Sequence, residues 1–283
     1  MPELLVVAER GDRVANAFVG RCRKRAVAHR RVNAWSLWRT LSPELSMAVD
    51  GRTRSDLWDR PVFSRLGALP ESGLTRWAEA DRAYVSAESQ AAYLAHMARH
   101  PNAVNRPLPH DFTGLGLRFP DQLALARSCG LRTPAWKFTS ELSEAEGFIS
   151  DCSGTALYRP RCEDVFDFRL ASRARLPLRG DTLRSAAMLI EGRRGRPLVS
   201  TWACGALWHA DAVDSSAVPA GGFSAGLKEL FSRSGLRFGQ SVGILDAGGY
   251  SFYGMTGTPQ NRFFGAAGSA VLDTLIDGLQ EAK

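Results

Sequence analysis

Apolar and polar positions alternate along this chain with two different periods. Residues 4–8 form a short unbroken apolar run, and within residues 13–25 Val14, Phe18 and Cys22 recur every four positions. The first pattern predicts a buried strand and the second an amphipathic helix. Residues 26–32 alternate again, so the opening reads as β-α-β, the start of an open α/β sheet. Over residues 74–100, Trp77, Ala80, Tyr84, Ala91, Leu94 and Met97 lie at helical spacing and predict one or two helices, stopped by Pro101. A compact helix is expected over PDQLALARSC with Gly130 as its C′ residue, then a strand led in by Pro134. Ser140 or Ser143 is placed to cap the acidic helix start that follows. Beyond Gly154 the runs TALYRPR, VFDFRL, AAMLIEG, PLVSTWACGALW, VGILDA and YSFYGMTG are separated by Gly, Pro and Arg, which predicts an antiparallel, β-rich second half. A final amphipathic helix is expected over residues 266–279, with Ala270, Val271, Leu275 and Ile276 inward.

A chain of 283 residues, 45% hydrophobic and 23% charged, is long enough for one large core or two smaller ones. No apolar stretch approaches the ~20 residues of a membrane span. The opening MPELLVVAERGD carries Glu3 and too short an apolar run for a signal peptide, so a cytoplasmic location without membrane partners is expected. The 5 cysteines are odd in number and contain no CxxC pair, which argues against a disulfide framework or a zinc knuckle. A net charge of +7 would suit a nucleic-acid partner. The arginines are spread along the chain, however, apart from the cluster Arg21, Arg23, Lys24, Arg25, Arg30 and Arg31, and no RNP-like aromatic motif lies nearby. That cluster reads as a solvated helix face, and nucleic acid is not the expected partner.

The candidate chemistry is sparse. The turn AERGDR lacks GxGxxG, and there is no GxSxG. His96 and His100 are four apart, which is metal-ligand spacing, but no acid follows His96 and two histidines on a partly exposed helix is the simpler reading. Cys204 and His209 form a Cys/His pairing on one strand stretch, with two strand-end residues as the plainer alternative. Arg159, Arg161, Arg169 and Arg184 on neighbouring strands suit either an anion pocket or a charged outer sheet face. Asp164 and Asp167 beside Glu163 suit a solvated turn or a small metal cluster.

Four stretches, taken in order, resemble the ATP-grasp superfamily. They are residues 80–97 with AVNRP at 103–107, residues 119–134 with CGLRTP, TALYRPR at 155–161, and GLRFGQSVGILDAGGYSFYGMTGTPQ at 235–260. The resemblance is to its peptide-modifying branch, which includes the ribosomal-protein glutamate ligases and the graspetide cyclases. It implies a chain of α/β plus α+β class, with an N-terminal Rossmann-like domain (residues 1–112), a reduced nucleotide-binding subdomain (113–205) and a C-terminal subdomain (206–283). It also implies ATP-dependent activation of a carboxylate, which requires magnesium held by carboxylates and cations on the phosphates. Against the family's last motif, Val242 stands at the first metal aspartate, Gly254 at the bridging glutamate and Thr256 at the asparagine. No lysine lies between Lys137 and Lys228, and Arg159 replaces one of the family's phosphate lysines.

The expectation is therefore a degenerate ATP-grasp relative that binds a peptide or partner protein in a modification pathway, without ATP or magnesium as cofactor. Its anion or substrate contacts are expected among Arg159, Arg161, Arg169, Arg184, Gln260 and Arg262. The alternative is an active ATP-dependent carboxylate–amine ligase whose magnesium is held from Asp164, Asp167 or Asp246.

Overall fold

A computed structural model describes residues 3–32, 60–65, 78–100, 102–106, 115–152, 155–159, 165–172, 176, 178–179, 182–183 and 186–281. The chain opens with β1 (Leu4–Val7), α1 (Arg13–Lys24), β2 (His29–Val32) and β3 (Val62–Ser64), a parallel sheet in the order β2-β1-β3. Val14, Phe18 and Cys22 are all buried, so the four-residue spacing set the inner face of α1 as expected. Asp12 starts this helix, its carboxylate accepting the Ala15 N–H at 2.7 Å. A single helix, α2 (Glu79–Arg99), covers the next described segment. Only Leu94 and Met97 of its predicted stripe are buried; Ala80, Tyr84 and Ala91 are exposed, and Trp77 lies outside the described residues. Among the described side chains of α2 the buried ones lie near its C-terminal end, which periodicity cannot reveal.

α3 (Phe119–Ser128), β4 (Trp136–Thr139), α4 (Leu142–Asp151), β5 (Ala156–Arg159) and β6 (Arg169–Leu170) follow, then the short pair β7 (Leu178–Arg179) and β8 (Thr182–Leu183), and β9 (Ala187–Glu191). They build an antiparallel sheet in the order β4-β9-β5-β6. Gly130 has φ +76, in keeping with a C′ residue. Neither Ser140 nor Ser143 caps α4. Its N-cap residue is Glu141 with no side-chain cap, and the Thr139 hydroxyl braces the turn before it, accepting the Glu141 N–H at 3.0 Å and donating to Glu144 at 2.7 Å.

Residues 192–195 then lead into the largest sheet: β10 (Arg196–Ala203), β11 (Ala206–Asp211), β12 (Ala217–Val218), β13 (Phe238–Asp246) and β14 (Gly249–Thr256), in the order β12-β11-β10-β13-β14. α5 (Phe223–Arg233) precedes β13, and α6 (Gly268–Glu281) ends the described chain. The expected division at 205/206 falls in the two-residue turn between β10 and β11. Cys204 and Gly205 both have positive φ (+44 and +100), the primed geometry that joins strands of one sheet. β10 therefore belongs with β11 and β13, and the change of sheet comes at 192–195.

One core packs α1 and the parallel sheet against α6 and Phe238, and a second joins both antiparallel sheets with α3 and α5. No described helix is long and apolar enough to cross a membrane. The basic cluster on α1 is partly neutralised from within: Arg21 binds Asp273 and Arg25 binds Asp277 of α6. A structural use for these cations counts against a nucleic-acid face.

Candidate functional site

The two antiparallel sheets face each other across residues 192–195. Register decides what each strand of the smaller sheet offers. Phe138 and Arg159 pair with Met188, and Trp136 and Leu157 pair with Ile190, so these side chains share one face. That face belongs to the core which also holds Leu198, Phe252 and Tyr253 of the larger sheet. Lys137, Leu189, Tyr158 and Arg169 share the opposite face, which is covered in part by α4. Lys137 is bound there to Glu144 at 3.3 Å. The Thr139 hydroxyl, followed by Lys137, holds the Glu144 carboxyl below its usual range.

Arg159 is 3% exposed. Its guanidinium lies over Phe119 at 5.1 Å and over Phe168 at 5.6 Å, a stacked position that a lysine could not reproduce. Arg169 projects to the other side, ion-paired with Asp167 at 3.3 Å. Arg159 and Arg169 therefore do not form one anion pocket. Arg161, Arg184 and Asp164 lie outside the described residues.

The three positions that resemble metal ligands do come together. Val242 is the register partner of Gly254 and Gln240 that of Thr256 on β13–β14, with a register shift directly after Val242. Gly254 has φ +154, and a Cβ there would lie 3.4 Å from a Val165 methyl. The Thr256 hydroxyl is engaged with Thr258 at 2.8 Å. Asp246 stands at the far end of β13, four residues from Val242 and hence roughly 13 Å along the strand. Arg132 binds it at 3.0 Å. Burial raises its pKa, but hydrogen bonds from Arg132 and the Gly248 N–H outweigh burial and hold it below the usual range. Among the described residues no three metal-ligating side chains cluster.

Residues 257–260 form a loop at the other end of this hairpin and lead into a single 3-10 turn over Asn261–Phe263. Gln240 fixes the loop, accepting the Gln260 N–H at 2.7 Å and donating to the Thr201 hydroxyl at 2.9 Å and to the Gln260 carbonyl at 3.2 Å. Asn105 takes the backbone N–H groups of Arg237 and Phe238 at 2.9 and 3.0 Å and donates to the Phe238 and Gly257 carbonyls. Arg65 reaches the Pro259 carbonyl at 2.9 Å. Gln260 and Arg262 thus lie in one segment, the loop and its 3-10 turn. Arg262 lies over the Phe263 ring, which stacks on Phe166 at 4.8 Å. Asn105 and Gln240 lie in two of the stretches that carry the resemblance, at 103–107 and 235–260, but neither is singled out there as a site residue. For Gln240, a lone amide in the apolar run around it was the available signal.

The remaining candidates separate. Cys204 sits in the β10–β11 turn, whereas His209 lies within β11 between Ser200 at 2.7 Å and Ser224 at 2.8 Å. His100 is buried beyond the end of α2, its Nδ1 accepting the Asn102 N–H at 3.3 Å.

No protein-family model and no curated protein matches the chain. Solved structures match it end to end. The ATP-grasp ligase PsnB, complexed with precursor peptide PsnA2 and AMPPNP, is 15% identical with a TM-score of 0.71, over 98% of this chain and 97% of that one. The macrocyclase MdnC of Microcystis aeruginosa, bound with precursor peptide MdnA, is 12% identical with a TM-score of 0.68, over 98% and 100%. A RiPP-associated ATP-grasp ligase of Chryseobacterium gregarium, in complex with ADP and a leader and core peptide, is 13% identical with a TM-score of 0.72, over 98% and 97%. With the paired β13–β14 positions and the facing sheets, this likeness establishes that the protein has the ATP-grasp fold.

Proposed function

We propose that the protein is a non-catalytic ATP-grasp-fold component that binds a peptide or partner protein in a peptide-modification pathway. The observation that carries the proposal is the residue set at the paired hairpin positions. Magnesium demands near-octahedral oxygen ligands, normally including one or two carboxylates. Val242 and Gly254 bring no side-chain oxygen, and the Thr256 hydroxyl is already bonded to Thr258. The residues present do not fit the ion. The phosphate side is depleted in the same way, since Lys137 faces away and Arg159 is stacked in the core.

What supports a peptide partner is the similarity to folds solved with precursor peptides. The segment 257–262 is rigidly held, presents Arg262, and is the face we assign to that partner. Panning a random-peptide phage library on the immobilised protein, then calorimetry with the selected peptide, tests the proposal. Saturable binding, unchanged by ATP or magnesium and without ADP formation, is expected. Magnesium-dependent ADP formation with peptide present would replace it with the active carboxylate–amine ligase.

A further inference from the structure

We infer that Tyr253 is an internal plug, a side chain that fills the space between the two antiparallel sheets and latches the segment joining them. Three independent features of the chain place it there. The register shift after Val242 pairs Gly243 with Phe252 and Val242 with Gly254, which leaves Tyr253 without a cross-strand partner. A bulge of this kind re-aims one side chain, and the positive φ of the following Gly254 permits it. The ring is 2% exposed and meets Phe168 edge-on at 5.9 Å. Its hydroxyl donates to the Glu191 carbonyl at 2.7 Å, at the last residue of β9.

The joining segment is seated to match. A Cβ at Gly192 would come within 1.9 Å of the Thr155 carbonyl oxygen, and one at Gly195 within 2.6 Å of Ile244 and Leu245. Residues 192–195 therefore press on both sheets, and only glycine fits at either end. The Glu191 carboxylate accepts the Ala135 N–H at 3.0 Å and pairs with Arg193 at 3.3 Å, while Arg132 pairs with Asp246 at 3.0 Å. Any ligand entering between the sheets must displace the phenol and supply its own donor to the Glu191 carbonyl. The plug deepens the non-catalytic reading, on which its functional meaning rests, by naming what occupies the cleft.

Chemical rescue tests it. Tyr253→Ala removes the ring, and p-cresol should refill the space. At millimolar p-cresol the variant's melting temperature is expected to rise by about 3 °C or more, while the wild type does not move. Toluene, which lacks the hydroxyl, is expected to give a smaller rise. An equal response to p-cresol in variant and wild type would overturn the plug. Should Tyr253→Ala fail to fold, Tyr253→Phe decides. Faster amide exchange confined to residues 191–196 is expected, and unchanged exchange there overturns the latch. The assay uses neither nucleotide nor peptide. Lost rescue in a protein inert to nucleotide sinks the plug alone, whereas nucleotide turnover with rescue intact sinks the non-catalytic reading alone.

Discussion

Val242 and Gly254 face each other as register partners across the β13–β14 hairpin, directly before the register shift between Val242 and Gly243. Neither side chain of this pair carries an oxygen that could bind a metal. Gly254 adopts φ +154, which an L-residue rarely occupies, and a Cβ there would only touch a Val165 methyl at 3.4 Å, so the backbone and not the space is the obstacle.

Placing carboxylates at this pair should destabilise the fold. Gly254→Ala is expected to cost about 1–2 kcal/mol through backbone strain alone. Val242→Asp with Gly254→Glu should cost more, because two carboxylates would be pressed together in a largely apolar setting. Urea denaturation measures both. A double variant as stable as the wild type, and binding magnesium, would show that the face is open and competent.

Arg159 should behave as a core residue. Arg159→Ala is expected to lower stability by about 2–3 kcal/mol, through the loss of its two aromatic contacts and the void left behind. Arg169→Ala should leave the melting temperature unchanged. Equal, negligible effects in thermal melts would contradict the placement of the two side chains on opposite faces.

His209 gives the fold a pH dependence of known sign. Burial, with some help from Lys228, pushes its pKa down to about 4. Unfolded, the imidazole titrates near 6.5. Above that pH it is neutral in both states and contributes no slope. Between 6.5 and 4 the unfolded chain takes a proton that the folded one refuses, so stability falls as pH falls, by about 2 kcal/mol between pH 6.5 and 5. Asp211 and Asp273, whose pKa values are held low chiefly by hydrogen bonds from Arg196 and Arg21, lose their contribution only at more acid pH. Melts between pH 7 and 5 should therefore slope in the wild type and flatten in His209→Gln. A flat wild-type profile would contradict a buried neutral imidazole.

Asn105 ties the N-terminal region to the site loop. Asn105→Ala removes an acceptor for two backbone N–H groups and a donor to two carbonyls, and is expected to cost about 2–4 kcal/mol. Asn105→Asp keeps the acceptor alone and should fall between. Chemical denaturation of the two variants checks this, and a neutral Asn105→Ala would remove the residue's structural role.

Much of the fold was legible because its signals are local. The spacing of Val14, Phe18 and Cys22 sufficed for α1, and Gly130 marked the end of α3. That Val242 and Gly254 are paired could be expected from the GLRFGQSVGILDAGGYSFYGMTG hairpin pattern, but the register shift beside them could not. Tyr84 misled, since an apolar residue at helical spacing says nothing about whether anything packs against it. The facing of Arg159 and Arg169 depends on the register of β5 with β6, and β6 is only two residues long. Tyr253 was invisible as a plug because its direction comes from a bulge, which is a property of two strands together.

The central claim is that this ATP-grasp fold does not bind its nucleotide. Calorimetry and thermal shift with ATP and ADP, with and without magnesium, test it most directly. A ligand at 100 times its dissociation constant would stabilise the fold by about 2.7 kcal/mol. The account predicts no saturable heat and no shift in melting temperature up to millimolar nucleotide. Magnesium-dependent, saturable binding would contradict it.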